Sequence, residues 1–271
     1  VNLLFNKKNN SPVDMVRIAA HVKDVPSCQE LVKLLNELGY RVCLNIMQVD
    51  SLKPENLTDI AKKISTWTPL EALYFADSFG NMEPDNVQNT VKAIKNGWTG
   101  NIGFHAHDNK GQALANCVSA LKSGVSYLDG TLSGMGRGAG NVKTENLLIE
   151  LSTRGHGEYF ADAVFPVVIN DFQKLQDNHK WGSNIYYHLS ATYGIHPTFI
   201  QEMLSDERYG TEHILSTINF LKSTKSTSFS HESLLAASKG IEGTEHGSWS
   251  VDNQFKDRSV LIFGSGPSTK K

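Results

Sequence analysis

The sequence predicts an α/β fold, a (β/α) barrel of which five strands are present, followed by a helical C-terminal extension. Three observations carry this. Five short apolar runs recur about 25–30 residues apart, the length of one strand–helix unit. Nearly every run ends in polar or acidic residues. Beyond residue 151 the pattern turns helical and strand-like runs cease.

The apolar runs fall at 15–20, 41–47, 72–76, 101–105 and 126–132. Between them, Leu31, Leu34, Leu35 and Leu38 mark a helix over 27–38 by their spacing. Val87, Val91 and Ile94 mark one over 86–96, and Leu114, Cys117, Val118 and Leu121 one over 112–122. Gly39, Gly97 and Gly124 stand where helix C-caps are expected. Strands alternating with helices imply a parallel sheet, and both an open doubly wound sheet and a barrel fit the periodicity. The strand ends favour the barrel: His21 and Asp24, Gln48 and Asp50, Asp77 and Ser78, His105 to Asn109, and Asp129. A barrel gathers all such ends around one mouth, whereas an open sheet uses mainly those at its switch point. Five strands do not close a barrel, so further strands are expected upstream of Met15.

The tail is expected to be helical over 162–176, 184–193, 197–204 and 212–222. The Ser/Thr/Lys-rich stretch 223–230 reads as a linker or exposed loop, and 231–257 is weakly patterned. From Arg258 an apolar run enters a Gly-Ser-Gly turn, as at the first strand and phosphate loop of a nucleotide-binding fold, without the helix that should follow. The domain reading is therefore part of a barrel at 1–155, a helical extension at 156–222, a linker or irregular segment at 223–257, and the start of a fused nucleotide-binding domain at 258–271. Both ends are expected to be cut from a longer polypeptide.

With 271 residues, 20% of them charged, and a net charge of −2, the composition is that of an ordinary globular chain. It offers no electrostatic footprint for nucleic acid or an anionic membrane. No apolar run approaches the roughly 18 residues of a membrane helix, and no signal-peptide pattern opens the chain. Cys28, Cys43 and Cys117 are odd in number, widely spaced and without a CxxC. Buried reduced thiols and a cytoplasmic setting are the expectation.

His105 and His107 sit two apart at a strand end, so both rings share one face. Imidazole pairs suit Mn²⁺, Fe²⁺, Co²⁺ or Zn²⁺, whereas Mg²⁺ prefers oxygen. Surface strands also carry such pairs by chance, and two histidines need a further oxygen ligand. Asp108 and Asn109 are candidates to orient the rings. The run Gly134-Met-Gly-Arg-Gly-Ala-Gly-Asn141 is either a tight turn or a mouth loop whose N–H groups, with Gly138 at its centre, hold an anion. In the second case Asn141 offers a carbonyl oxygen and Arg137 a partner for a substrate carboxylate. Asp77 and Ser78 are either strand-end caps or substrate contacts. Arg17 and His21 share a strand face, fit for a structural pair or a direct role. The aromatic stretch 181–188 and Gly194-Ile-His-Pro197 read mainly as packing, with a tyrosine over the mouth as a proton donor still open.

Gly103-Phe-His-Ala-His-Asp-Asn109, followed by Leu128-Asp-Gly-Thr-Leu-Ser-Gly-Met-Gly-Arg-Gly-Ala-Gly-Asn141, resembles the HMG-CoA lyase-like (DRE-TIM metallolyase) family, particularly its 4-hydroxy-2-oxovalerate aldolase branch. Val16-Arg-Ile-Ala-Ala-His21 and Ala76-Asp-Ser-Phe-Gly80 match that branch too. The resemblance implies a TIM (β/α)8 barrel, here strands four to eight. It implies a divalent cation, Mn²⁺ or Mg²⁺ with Zn²⁺ or Co²⁺ open, held by His105, His107 and, in some members, Asn141. It implies a tyrosine of the helical tail, Tyr186 or Tyr187, as a catalytic group, and it places the family's usual base and catalytic arginine in the strands missing upstream. The residues themselves offer His21 as a catalytic candidate, with Arg17, Asp77, Ser78, Arg137 and Gly138 as candidates around a small 2-oxo acid substrate. The family's Arg-Asp-Gly motif, with its aspartate ligand, has no counterpart before Met15. The implied activity is cleavage or formation of a carbon–carbon bond of a 4-hydroxy-2-oxo acid. A Claisen-type acyl-CoA condensation, or a non-catalytic scaffold for a nucleotide-binding partner domain, are the alternatives; a homodimer is left open.

Overall fold

A computed structural model describes residues 4–224 and 226–242. Five parallel strands form one sheet: β1 (Met15–His21), β2 (Arg41–Met47), β3 (Ala72–Asp77), β4 (Asn101–Ala106) and β5 (Tyr127–Leu128). They lie in chain order, each hydrogen-bonded to the next. Unbroken sequential order is the wall of a TIM barrel, since a doubly wound sheet reverses direction at a switch point. The connections are α1 (Cys28–Glu37), α2 (Pro54–Ser65), α3 (Pro84–Lys95) and α4 (Ala113–Lys122), and α5 (Thr144–Thr153) follows β5.

Strand periodicity gives the sheet two unlike faces. On one, Leu44, Ile46, Leu73, Phe75, Ile102 and Phe104 are buried against Leu57, Ile64, Val87, Val91 and Ile94 of the helices. Burying each such side chain stabilises the fold by about 1.5–3 kcal/mol, and the stacked pair Phe75–Phe104, 4.6 Å between centroids, adds to it. The other face carries Arg17, Cys43, Asn45, Tyr74, Gly103, His105 and Asp129, polar or small residues suited to the interior near a mouth. Register places Arg17 beside Cys43, Asn45 beside Tyr74, Tyr74 beside Gly103, and Gly103 beside Tyr127. A Cβ on Gly103 would lie 2.4 Å from the Tyr74 ring, so glycine is what lets that ring lie across β4.

Several sequence expectations change. Helix α2 is an addition, with Pro54 in its first turn and Leu57, Ala61 and Ile64 buried at helical spacing. Helix α5 is another. The fifth strand shrinks to Tyr127–Leu128 because the chain beyond pairs with its own return: Thr131 N–H donates to Val142 O and Thr144 N–H to Thr131 O. Gly39 and Gly124 have the left-handed backbone of a cap, but Gly97 does not. Its smallness admits the α2 backbone instead, since a Cβ there would sit 2.4 Å from Thr58 O. All three cysteines are free and buried.

In the tail, α6 (Phe165–Val167) and α7 (Gln173–His179) are joined by a π turn over Val168–Phe172. Then come α8 (Ile185–Tyr193), α9 (Pro197–Ser205), α10 (Thr211–Ser223) and α11 (His231–Glu242). The last falls in a stretch expected from sequence to be linker or irregular; Leu234 and Ala237 bury against the α9–α10 core. The expected nucleotide-binding segment from Arg258 lies outside the described residues. Among the described residues no helix is long and apolar enough to cross a membrane.

Candidate active site

The site assembles at the C-terminal ends of β1, β4 and β5. His105 is in β4 and His107 just past its end, and alternation brings their rings edge to face, 4.9 Å between centroids. Each ring is fixed through Nδ1. His107 Nδ1 lies 2.8 Å from Asp77 O. A carbonyl only accepts, so Nδ1 carries the proton and Nε2 the lone pair. His105 Nδ1 lies 2.8 Å from Asp129 Oδ2, with the same consequence where that carboxylate is ionised. Burial alone would raise the Asp129 carboxyl, but the His105 hydrogen bond and the Arg17 guanidinium outweigh it and hold it below the ordinary value. Arg17 itself pairs with the same Oδ2 and lies over the Tyr74 ring, 4.9 Å from its centroid. Burial, aided by His105 and Arg137, pushes His107 down to about 4, so its imidazole is neutral near pH 7 and fit to bind a cation.

The glycine loop brings a side-chain oxygen to the same strand end. Asp108 N–H donates to Gly140 O and Val142 N–H to Ala106 O, so Asn141 bridges antiparallel to His107. Asn141 Nδ2 donates to Met135 O, while its Oδ1 is buried with no hydrogen-bond partner. A buried carbonyl oxygen without a donor costs about 1–3 kcal/mol. Together with two imidazole nitrogens bearing lone pairs, it makes a donor set that a cation would satisfy. The set fits a divalent metal with mixed nitrogen and oxygen ligands. Among the described residues, however, no group of three or more His, Cys, Asp or Glu side chains could hold a metal ion. Gly136 makes the arrangement sterically possible, since a Cβ there would meet Asn141 Nδ2 at 2.4 Å.

The loop is clamped from two sides. Buried Glu145, in the first turn of α5, accepts from Ser133 N–H, and the Trp181 indole donates to Ser133 O. Gly182 N–H donates to Gly138 O, and Ser183 Oγ to Asn109 O. Ser133 holds a left-handed backbone (φ 52°) between these clamps.

The other expected residues divide. Tyr187 is buried with its ring against Gly138, where a Cβ would come within 3.0 Å. Tyr186 packs into the tail's own core. Arg137 lies on the loop, and its charge reaches both His107 and Tyr187. His21 stands at the end of β1 and lines a cavity with His196. Asp77 is a correction: fully buried, its carboxylate accepts from Asn81 and Met82 N–H, so it caps the loop and reaches the site only through its carbonyl on His107. Arg17, a candidate for either a structural pair or a substrate contact, pairs with Asp129. Ser78 Oγ accepts from Gln48 N–H. Asp108, expected to orient a histidine, caps α4 through Ala113 N–H, and Asn109 is buried against Gly80; the orienting partners are Asp129 and the Asp77 carbonyl. Sequence reasoning missed Asp129 in that role, although its place at the end of the fifth run was a usable signal.

Comparison with known proteins agrees with the fold. Residues 14–177 match the HMGL-like family. A 4-hydroxy-2-oxovalerate aldolase from Carboxydothermus hydrogenoformans is 35% identical over 142 residues, covering 52% of this chain and 42% of that enzyme. The chain thus spans about two fifths of the length of such curated relatives. The N-terminal domain of a Bacteroides vulgatus protein proposed to be an aldolase superposes with a TM-score of 0.66 at 29% identity, over 78% of this chain and 73% of that one. The Bacillus subtilis HMG-CoA lyase shares the fold, with a TM-score of 0.55 at 16% identity, over 62% of this chain and 64% of that one. A match over more than half the chain, spanning the strand ends that carry His105, His107 and Asn141, places this protein in the HMGL-like family.

Proposed function

We propose that the protein of which this chain is part is a divalent-metal-dependent aldolase acting on a 4-hydroxy-2-oxo acid. The observation that carries the reading is the unpartnered, buried Asn141 Oδ1 opposite His107, beside two imidazoles whose Nδ1 atoms are both engaged. His105, His107 and Asn141 would hold the cation, with Mn²⁺ or Mg²⁺ the expected ion. When bound, it would supply Lewis-acid polarisation of the 2-oxo group and stabilise the enolate that forms on bond cleavage.

The chain's own residues do the rest. Arg137 offers its guanidinium to the substrate carboxylate. Gly138 lets the Tyr187 ring lie against the loop beside it. His21, at the mouth end of β1, takes the proton of the 4-hydroxyl group, and the C3–C4 bond then breaks to give an aldehyde and the enolate of pyruvate. Tyr187, whose phenol burial holds above its ordinary pKa, keeps its proton at neutral pH and in this reading returns one to the enolate carbon. The similarity to enzymes named 4-hydroxy-2-oxovalerate aldolase supports the same reading.

The test is pyruvate release from 4-hydroxy-2-oxovalerate by the full-length protein, before and after chelation and Mn²⁺ restoration. The paired change His105→Ala and His107→Ala is expected to abolish metal-dependent release. Unchanged activity in that variant would sink the assignment.

A further inference from the structure

We propose that the cavity at the ends of β1 and β2 receives an anionic group, a carboxylate or a phosphate, carried at the substrate end remote from the 2-oxo acid. This rests on the aldolase reading above. The cavity has a volume of about 500 Å³ and lies between the sheet and the tail. Its wall includes His21, Lys23, Met47, Gln48, His196 and Phe229, and no carboxylate lines it. Among the described residues Lys23 makes no ion pair. A concave surface with an ammonium, two imidazoles and no acid selects for negative charge.

His196 strengthens the case through its tautomer. Its Nδ1 accepts from Thr198 N–H at 3.3 Å, so the ring proton sits on Nε2 and donates. Burial first, then the charges of Arg137 and His21, holds the ring neutral by pushing it down to about 4. The edge of Phe79, 6.0 Å between centroids, fixes its orientation. Met47 and Phe229 give apolar cover for a short carbon chain behind the anion. Gln48 holds a left-handed backbone (φ 58°) on the same wall.

The cavity opens at the end of β1, through His21, and the same strand carries Arg17, which meets the Asp129 carboxylate that holds His105. A substrate with its 2-oxo acid at His105, His107 and Asn141 extends its other end towards His21 and then Lys23. A methyl group would leave most of that space, and both Lys23 and His196, unused.

Aldol synthesis by the full-length protein with Mn²⁺ and pyruvate tests this. Pyruvate C3 bonds to the aldehyde carbon, C3 loses a proton and the aldehyde oxygen gains one, so no redox partner is needed. Propionaldehyde, succinic semialdehyde and glyceraldehyde 3-phosphate are compared. One charged aldehyde is expected to exceed propionaldehyde in kcat/KM by about tenfold or more, and which one it is distinguishes carboxylate from phosphate. Lys23→Met should erase that advantage, Lys23→Arg should keep it, and neither should alter the propionaldehyde rate. Equal use of all three aldehydes, or an advantage that survives Lys23→Met, overturns the proposal. If no aldehyde is condensed, the aldolase reading fails and calorimetry decides on the cavity alone. Binding of glycerol 3-phosphate or 4-hydroxybutyrate that weakens about tenfold in Lys23→Met upholds it; no binding, or binding indifferent to Lys23, overturns it.

Discussion

Asp129 joins two residues far apart in the chain: its Oδ2 accepts from His105 Nδ1 at 2.8 Å and also meets Arg17. The hydrogen bond fixes which imidazole nitrogen faces the mouth, and Arg17 keeps the carboxylate ionised so that it can do so. Asp129→Asn removes the charge while keeping the shape. Mn²⁺ affinity of the full-length protein is expected to fall about 10–100-fold, the usual effect of losing a partner that orients a metal-binding histidine. Arg17→Met should move affinity in the same direction. Calorimetric titration measures both, and unchanged affinity in Asp129→Asn would remove His105 from the ligand set.

Tyr187, and not Tyr186, lies against Gly138. Tyr187→Phe keeps the packing and deletes the hydroxyl, so kcat is expected to drop by about 10²–10⁴ with little change in KM or melting temperature. Tyr186→Phe should match the parent. A normal kcat in Tyr187→Phe would transfer the protonation step to another group.

His196 makes stability depend on pH. Its folded pKa, about 4, lies below the ordinary 6.5, so between these values the unfolded chain binds a proton that the folded chain does not. Stability is full above that window and falls as pH drops through it. Arg137 and His21 face the ring and push the same way, and His107 titrates over the same range. His196→Gln should therefore flatten the fall in melting temperature between about pH 7 and pH 4.5 without abolishing it. An identical slope in parent and variant would show that His196 is not held neutral.

Gly103 tests the inner face of the sheet. A methyl group there would overlap the Tyr74 ring, and Tyr74 in turn lies under Arg17. Gly103→Ala is expected to cost about 1–3 kcal/mol through overpacking. Urea denaturation measures this, and Asp129 should lose part of its hold on His105 in the same variant. A fully stable Gly103→Ala with unchanged Mn²⁺ affinity would contradict the geometry.

How far the sequence could be read follows from the range of the forces. The outer face of the sheet was legible because burial of Leu44, Phe75 or Phe104 follows local period-two alternation. The same alternation put His105 and His107 together. The glycine loop was legible as a mouth element, and the motifs around it carried the family resemblance. What escaped depends on register between distant segments. Asp129 meets Arg17 across 112 residues, and no local pattern encodes that. Asp77 looked like a mouth carboxylate from its position at a strand end, yet the Asn81 and Met82 amides turn it inward. His196 was read as packing along with the aromatic-rich stretch before it, although it lines the cavity. Helix α2 was locally legible, since Leu57, Ala61 and Ile64 keep helical spacing.

The indole of Trp181 donates to Ser133 O at 3.0 Å and is almost wholly buried. That single bond makes the glycine loop optically visible. An excited indole is sensitive to its hydrogen-bond partner and to water, so loosening or tightening of the loop should shift its emission. With Trp67, Trp98 and Trp249 replaced by Phe, the remaining fluorophore would follow the loop that carries Asn141 in real time. Cation uptake could then be timed in a stopped-flow instrument without any substrate, separating the filling of the mouth from the chemistry that follows it.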